Sequence, residues 1–200
     1  MVLNLPNYTG EYSTGYWFYR SYEVGVSTNS ETVEVELNFS NEAKAKKLGA
    51  IFFQAYGIKK AKVTGNFSGV ETYEGFMDYT RNLQVLDMEF DFTSCSTAYS
   101  VRIYNNYGSP VLTHLRFKKN TLSISISLLA LAALDDDSCV SIANGLNANA
   151  TGQTLTLDPV PKAKCSSIVG TVNDGFFTQD AQGTVTLSDF ITNTKGWTLA

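Results

Sequence analysis

Few residues in this chain have the type and spacing to do chemistry. The single histidine, His114, sits between Leu112 and Leu115 in an apolar pattern. A catalytic imidazole needs a nucleophile and an orienting acid, and no motif supplies either. Cys95, Cys139 and Cys165 lie far apart, and three cysteines cannot all pair within one chain, so buried thiols are expected. One histidine and scattered cysteines also give no zinc-ligand spacing, so neither a metal nor another cofactor is expected. Asp87, Glu89 and Asp91 alternate and would share one face of a strand. Carboxylates so placed can do glycosidase work, bind sugar hydroxyls, pair with Lys or Arg, or simply form an exposed face. Asp135, Asp136 and Asp137 could ligate calcium, but the alternating D-x-D-x-D-G loop is absent, and an acidic first turn of a helix is the expected reading. No phosphate-binding glycine loop, G-x-S-x-G or H-E-x-x-H occurs, so the chain is read as a non-enzyme.

Near the N-terminus Tyr8, Tyr12, Tyr16, Trp17, Phe18, Tyr19 and Tyr22 crowd together among Gly10, Gly15 and Gly25. Aromatic residues of this kind serve cores, interfaces and sugar-stacking platforms. Tyr16, Trp17 and Tyr19, with Asp87, Glu89 and Asp91, are the candidate binding residues.

The elements that must position these residues are set by a repeat. Ile58, Ala61 and Val63 can be laid over Leu83, Leu86 and Met88, a period of 25 residues. Leu112, Leu115 and Phe117 repeat the spacing 29 residues later, and 153–158 and 197–200 read as further rungs. A unit of one short strand and one return segment cannot bury its apolar side alone, so copies must stack into a solenoid with parallel strands. Phe53, Tyr56, Phe76 and Tyr79 would pack the opposite wall. Residues 32–39 alternate with period two and predict a half-buried strand, with Glu31, Glu34 and Glu36 toward solvent. Helices are predicted over 41–48 capped by Ser40, from Asp137 or Ser138 to Leu146, and over 187–194 capped by Ser188 or Asp189.

Bulk properties narrow the class. The chain has 200 residues, 44% hydrophobic but only 17% charged, enough for a sizeable core and suited to strands and turns. A net charge of −4 gives no field to attract nucleic acid. The densest basic cluster (Lys44, Lys46, Lys47, Lys59, Lys60 and Lys62) reads as a solvated face. No basic segment followed by a long apolar run opens the sequence, so no export signal is expected. The apolar run at 128–134 is far short of the roughly 20 residues of a membrane span. The sequons at Asn7, Asn38, Asn66 and Asn149 are taken as chance in a chain rich in Asn, Ser and Thr.

Residues 137–146, the string Thr-Gly-Gln-Thr-Leu-Thr-Leu at 151–157 and the ending Lys195-Gly-Trp-Thr-Leu-Ala200 resemble the closing repeats of BspA-like leucine-rich-repeat proteins. Such repeats occur in gut-bacterial surface proteins and in virion proteins of the phages that infect them. The likeness spans about 50–200, and 159–186 depart from it as an insertion that enlarges the last repeat. It implies a mainly β, α+β leucine-rich-repeat-like solenoid over 41–200. Residues 1–40, which read as β-rich, have no counterpart in the likeness and are expected to cap the solenoid or attach it to a larger assembly. The likeness further implies a non-catalytic virion structural or fibre-type protein, made in the host cytoplasm and residing in the virion. Its partners would be other virion proteins or a host surface protein or glycan, with trimerisation as one arrangement and neither nucleic acid nor membrane insertion involved. A bacterial cell-surface adhesin and a carbohydrate-active enzyme are the alternatives.

Overall fold

The computed structural model describes residues 2–5, 33–39, 46–55, 57–103, 111–150 and 152–200. Strands β1 (Val2–Leu5), β2 (Val33–Phe39), β3 (Ile58–Thr64), β4 (Val85–Phe90) and β5 (His114–Phe117) form one sheet, all parallel and in chain order. Parallel strands that neighbour each other in sequence leave the chain no short way back. The described parts of the connections cross to a far wall, and the whole is a β-solenoid of about four turns.

The far wall has its own ladder. Backbone N–H groups of Leu48, Ala50, Phe52 and Gln54 donate to the carbonyls of Thr72, Glu74, Phe76 and Asp78 at 2.9–3.0 Å. Tyr73, Gly75 and Met77 donate in turn to Ser100, Arg102 and Ile103 at 2.8–3.1 Å. Because 46–48 belong to this ladder, with Lys47 bridging Thr72, they are extended and not the end of a helix. The rest of the expected 41–48 helix and its Ser40 cap lie outside the described residues.

Ala61 pairs with Leu86, the 25-residue spacing of the repeat. In the next coil Val85 pairs with His114 at the expected 29, but an irregularity follows, and Phe90 rather than Met88 stands beside Phe117. Inward residues of the sheet (Leu37, Ala61, Leu86, Leu115) and of the far wall (Phe52, Tyr73, Phe76) are buried. Aromatic rings run along the axis between the walls: Phe52 on Phe76 at 5.4 Å, Phe76 on Phe90 at 5.1 Å, and Phe92 on Phe117 at 4.9 Å. Each buried ring contributes about 1.5–3 kcal/mol through area removed from water. The fully buried Tyr73 keeps its hydroxyl satisfied by donating to the Asp91 carbonyl at 3.0 Å and accepting from the Asp91 N–H at 3.3 Å. Phe53 and Tyr79 are half-buried and meet edge to face at 5.3 Å, whereas Tyr56 lies outside the described residues.

After β5 the wall changes material. Helix α1 (Asp136–Gly145) takes the place of a next strand beside β5. It begins one or two residues before the expected start, and its N-cap is Asp135, whose side chain accepts from the Ser138 N–H at 2.8 Å. The helix meets the strand edge with hydroxyls: the N–H groups of Leu115 and Phe117 donate to Ser138 Oγ and Ser141 Oγ, each at 3.0 Å. Gly145 permits the close approach, since a Cβ there would lie 2.6 Å from Phe117 Cβ.

Strands β6 (Ile126–Leu128) and β7 (Thr154–Leu157) begin a second parallel sheet. The insertion at 159–186 is a folded subunit of helix α2 (Pro159–Ser167) and three antiparallel strands, β8 (Val169–Asn173), β9 (Phe176–Gln179) and β10 (Val185–Thr186). Asp174 and Gly175, with φ of 52° and 75°, make the two-residue turn that joins β8 to β9. The expected 187–194 helix starts at Leu187, capped by the Thr186 side chain rather than by Ser188 or Asp189, and widens into a π-helical turn over Phe190–Thr194. Strand β11 (Thr198–Leu199) then pairs with β7, and Trp197 Nε1 donates to the Asn147 carbonyl at 3.0 Å.

Residues 1–40 are not wholly apart from the solenoid. β1 and β2 are the first two strands of its sheet, and Val35, Leu37 and Phe39 are buried. Among the described residues no helix is long and apolar enough to cross a membrane.

Candidate functional site

Period-two alternation turns the charged residues of β2–β5 outward as their apolar neighbours turn in. Glu34 pairs with Lys60 at 3.1 Å, Glu36 with Lys62 at 3.3 Å and Asp87 with Arg116 at 3.5 Å. Since Lys62 stands beside Asp87 in register, Glu36, Lys62, Asp87 and Arg116 form a row of alternating sign across four strands. One step along the strands, Thr64 Oγ1 donates to Asn38 Oδ1 at 2.8 Å and Asn38 Nδ2 to Asn4 Oδ1 at 3.0 Å. Lys46 pairs with Glu71 at 3.2 Å, so Lys46, Lys60 and Lys62 of the basic cluster each meet a carboxylate.

The three alternating carboxylates do not share an exposed face. Asp87 and Glu89 project from β4, but Asp91 follows the strand where the chain turns toward the far wall, and its side chain is only 3% exposed. Its carboxylate accepts from Lys118 Nζ at 2.6 Å and from Thr93 N–H and Oγ1 at 3.0 and 2.6 Å. Burial pushes the Asp91 carboxyl up, but the Lys118 and Thr93 hydrogen bonds outweigh it and hold the group below the usual carboxylate range.

A cleft of about 580 Å³ opens on this face, and its cause lies in the pairing. β3 and β4 are bonded from Lys60–Val85 to Lys62–Asp87 and no further, although β3 runs on to Thr64 and β4 to Phe90. The splayed strand ends and the turn at 65–67 form its walls, and Arg116 and Lys118 close one side. A smaller depression of about 270 Å³ lies among Glu34, Lys60 and Asp87.

His114 forms part of a polar chain at the end of β5. Arg116 Nε donates to His114 Nε2 at 2.6 Å, and His114 Nδ1 lies 3.5 Å from Asp135 Oδ2. Burial raises the Asp135 carboxyl, but its bonds to Ser138 and the nearby His114 bring it below the ordinary value. The serine that adjoins this chain, Ser138, is fully buried, and its hydroxyl is engaged by Asp135 and by the Leu115 N–H rather than by His114. All three cysteines are buried free thiols. Burial pushes the Cys95 thiol up to about 12. Cys139 and Cys165 share a hydrogen bond between α1 and α2, which together with burial raises the Cys139 thiol. Among the described residues no group of His, Cys, Asp and Glu side chains could hold a metal ion.

Tyr16, Trp17 and Tyr19 lie outside the described residues. Sequence reasoning missed the cleft and Arg116, Lys118, Thr64 and Asn66 around it, because a stop in strand pairing leaves no mark in composition or period. Set against known proteins, the chain matches no family model, no curated protein and no solved structure.

Proposed function

We propose that this protein is a non-catalytic attachment or structural protein of a phage virion, of the BspA-like leucine-rich-repeat kind. In this reading the outward face of β2–β5 is its contact surface. The observation that carries the reading is the plane of side chains on that face. Strands about 4.8 Å apart hold carboxylates, ammonium groups and amides at fixed intervals, and the side chains brace one another through ion pairs and hydrogen bonds. A pre-ordered polar plane loses little side-chain entropy on docking, which suits recognition.

The carbohydrate-active enzyme is less well supported. Glycoside hydrolysis uses a carboxyl group kept protonated by its surroundings. Asp91 is instead held ionised by Lys118, and Asp87 is paired with Arg116.

Mass spectrometry and labelled electron microscopy of purified particles test the proposal. The protein is expected in the particle, and the isolated chain is expected to compete with particle adsorption to host cells. A protein missing from particles but fractionating with the bacterial envelope would replace the virion reading with the adhesin. Removing 1–40 is a poor test of docking, since it would strip two strands and the buried Val35, Leu37 and Phe39 from the solenoid.

A further inference from the structure

We infer that the cleft between the splayed ends of β3 and β4 binds one or two residues of an uncharged, hydroxyl-rich glycan. The inference rests on the attachment reading and names its ligand class. The cleft's volume of about 580 Å³ falls within the ~300–1,000 Å³ of small-molecule sites.

Its charge selects the ligand. Asp91 is neutralised by Lys118 and Asp87 by Arg116, while among the described residues Glu89 has no ion-pair partner. The cleft thus keeps one net negative charge and disfavours anions. A cationic side chain would meet Glu89 but also the like charges of Arg116 and Lys118. Vicinal sugar hydroxyls donate and accept at once, so they can join Glu89 to Arg116 or Lys118 without leaving either charge unpaired. Asn66 adds donors, because its Oδ1 is already taken by the Ser68 N–H and Oγ at 3.1 and 2.8 Å. Val63, Met88 and Phe67 also border the cleft but are buried in the core, so its accessible lining is mainly polar.

Titration of the full chain with methyl α-glucoside, methyl α-mannoside and methyl β-galactoside, followed by backbone amide NMR, tests the inference. Saturable shifts are expected at 64–66 and 87–91 with at least one glycoside, at the millimolar affinity usual for one sugar unit. Glu89→Ala should weaken binding at least tenfold and Glu89→Gln less, with both variants melting within a few degrees of the parent because Glu89 is exposed. No shift at these residues with any glycoside, undiminished binding by Glu89→Ala, or binding only of a lysine-rich peptide included as a comparator would each overturn it. Adsorption assays on the same variants separate the two readings. Failure of the sugars with adsorption intact removes only the cleft's role. Sugar shifts in a protein absent from particles keep the cleft and remove the virion.

Discussion

The coils up to β5 and the coils after it follow the same wrapping path but build one wall differently. In the first region strand lies on strand, neighbouring backbones bond over part of their length, and side chains largely alternate in and out. In the second, α1 stands where a strand would, and two serine hydroxyls supply the acceptors that a sixth strand would have offered to Leu115 and Phe117. Strands convert a period-two sequence into a ruled outer plane of charges. A helix spreads its outward residues around a cylinder and cannot. The ordered rows of Glu, Lys, Asp and Arg therefore end at β5, and so does the candidate recognition face.

Breaking each region at its core sharpens this contrast most. Phe90→Ala removes a ring in contact with Tyr73, Phe76, Phe92 and Phe117, and should cost about 3–5 kcal/mol in urea unfolding. Leu155→Ala, in the second sheet, should cost about 2–5 kcal/mol. If the regions form one cooperative stack, both variants shift a single transition. Two separate transitions would show that α1 divides the molecule.

The junction comes next. Ser138→Ala leaves the buried Leu115 N–H without its acceptor and removes a partner of Asp135, for an expected loss of about 1–3 kcal/mol in the same measurement. Amide exchange should quicken at Leu115 while the β2–β3 ladder stays protected.

Acid gives a smaller, directional effect. The folded-state pKa values of Asp91 and Asp135 lie below their ordinary values, so the stability these groups contribute is fully present above about pH 4 and is lost as pH falls through the folded values. Asp91→Asn should flatten the fall in melting temperature between neutral pH and pH 2.5, whereas an unchanged slope would mean that other carboxylates govern it.

The smallest effect belongs to the plane itself. Glu34→Ala or Lys60→Ala should change stability by less than about 1 kcal/mol, since their side chains are 62% and 49% exposed. A larger loss would mean that the face sustains the fold, not merely decorates it.

Much of the strand region was legible in the sequence because its signals are local. The spacing from Ala61 to Leu86 is the register itself, and the alternation of 33–39 is β2. Asp135–Asp137 announced α1, although which aspartate caps it depends on the Ser138 N–H. The alternation of Asp87, Glu89 and Asp91 misled at its last member, since period two holds only while the chain stays extended and Asp91 lies past the turn. The insertion carried a readable mark in Asp174-Gly175, a strong hairpin signal between two apolar segments. The cleft was not legible, because it arises where two strands stop bonding, and that depends on the packing of both neighbours.

Ser138 and Ser141 have a consequence beyond this chain. An open parallel strand invites the edge of another molecule, and repeated pairing of that kind draws solenoids into fibrils. With the N–H groups of Leu115 and Phe117 already engaged, the β5 edge offers neither donor to an incoming strand, and the molecule closes that side of its ladder with its own helix.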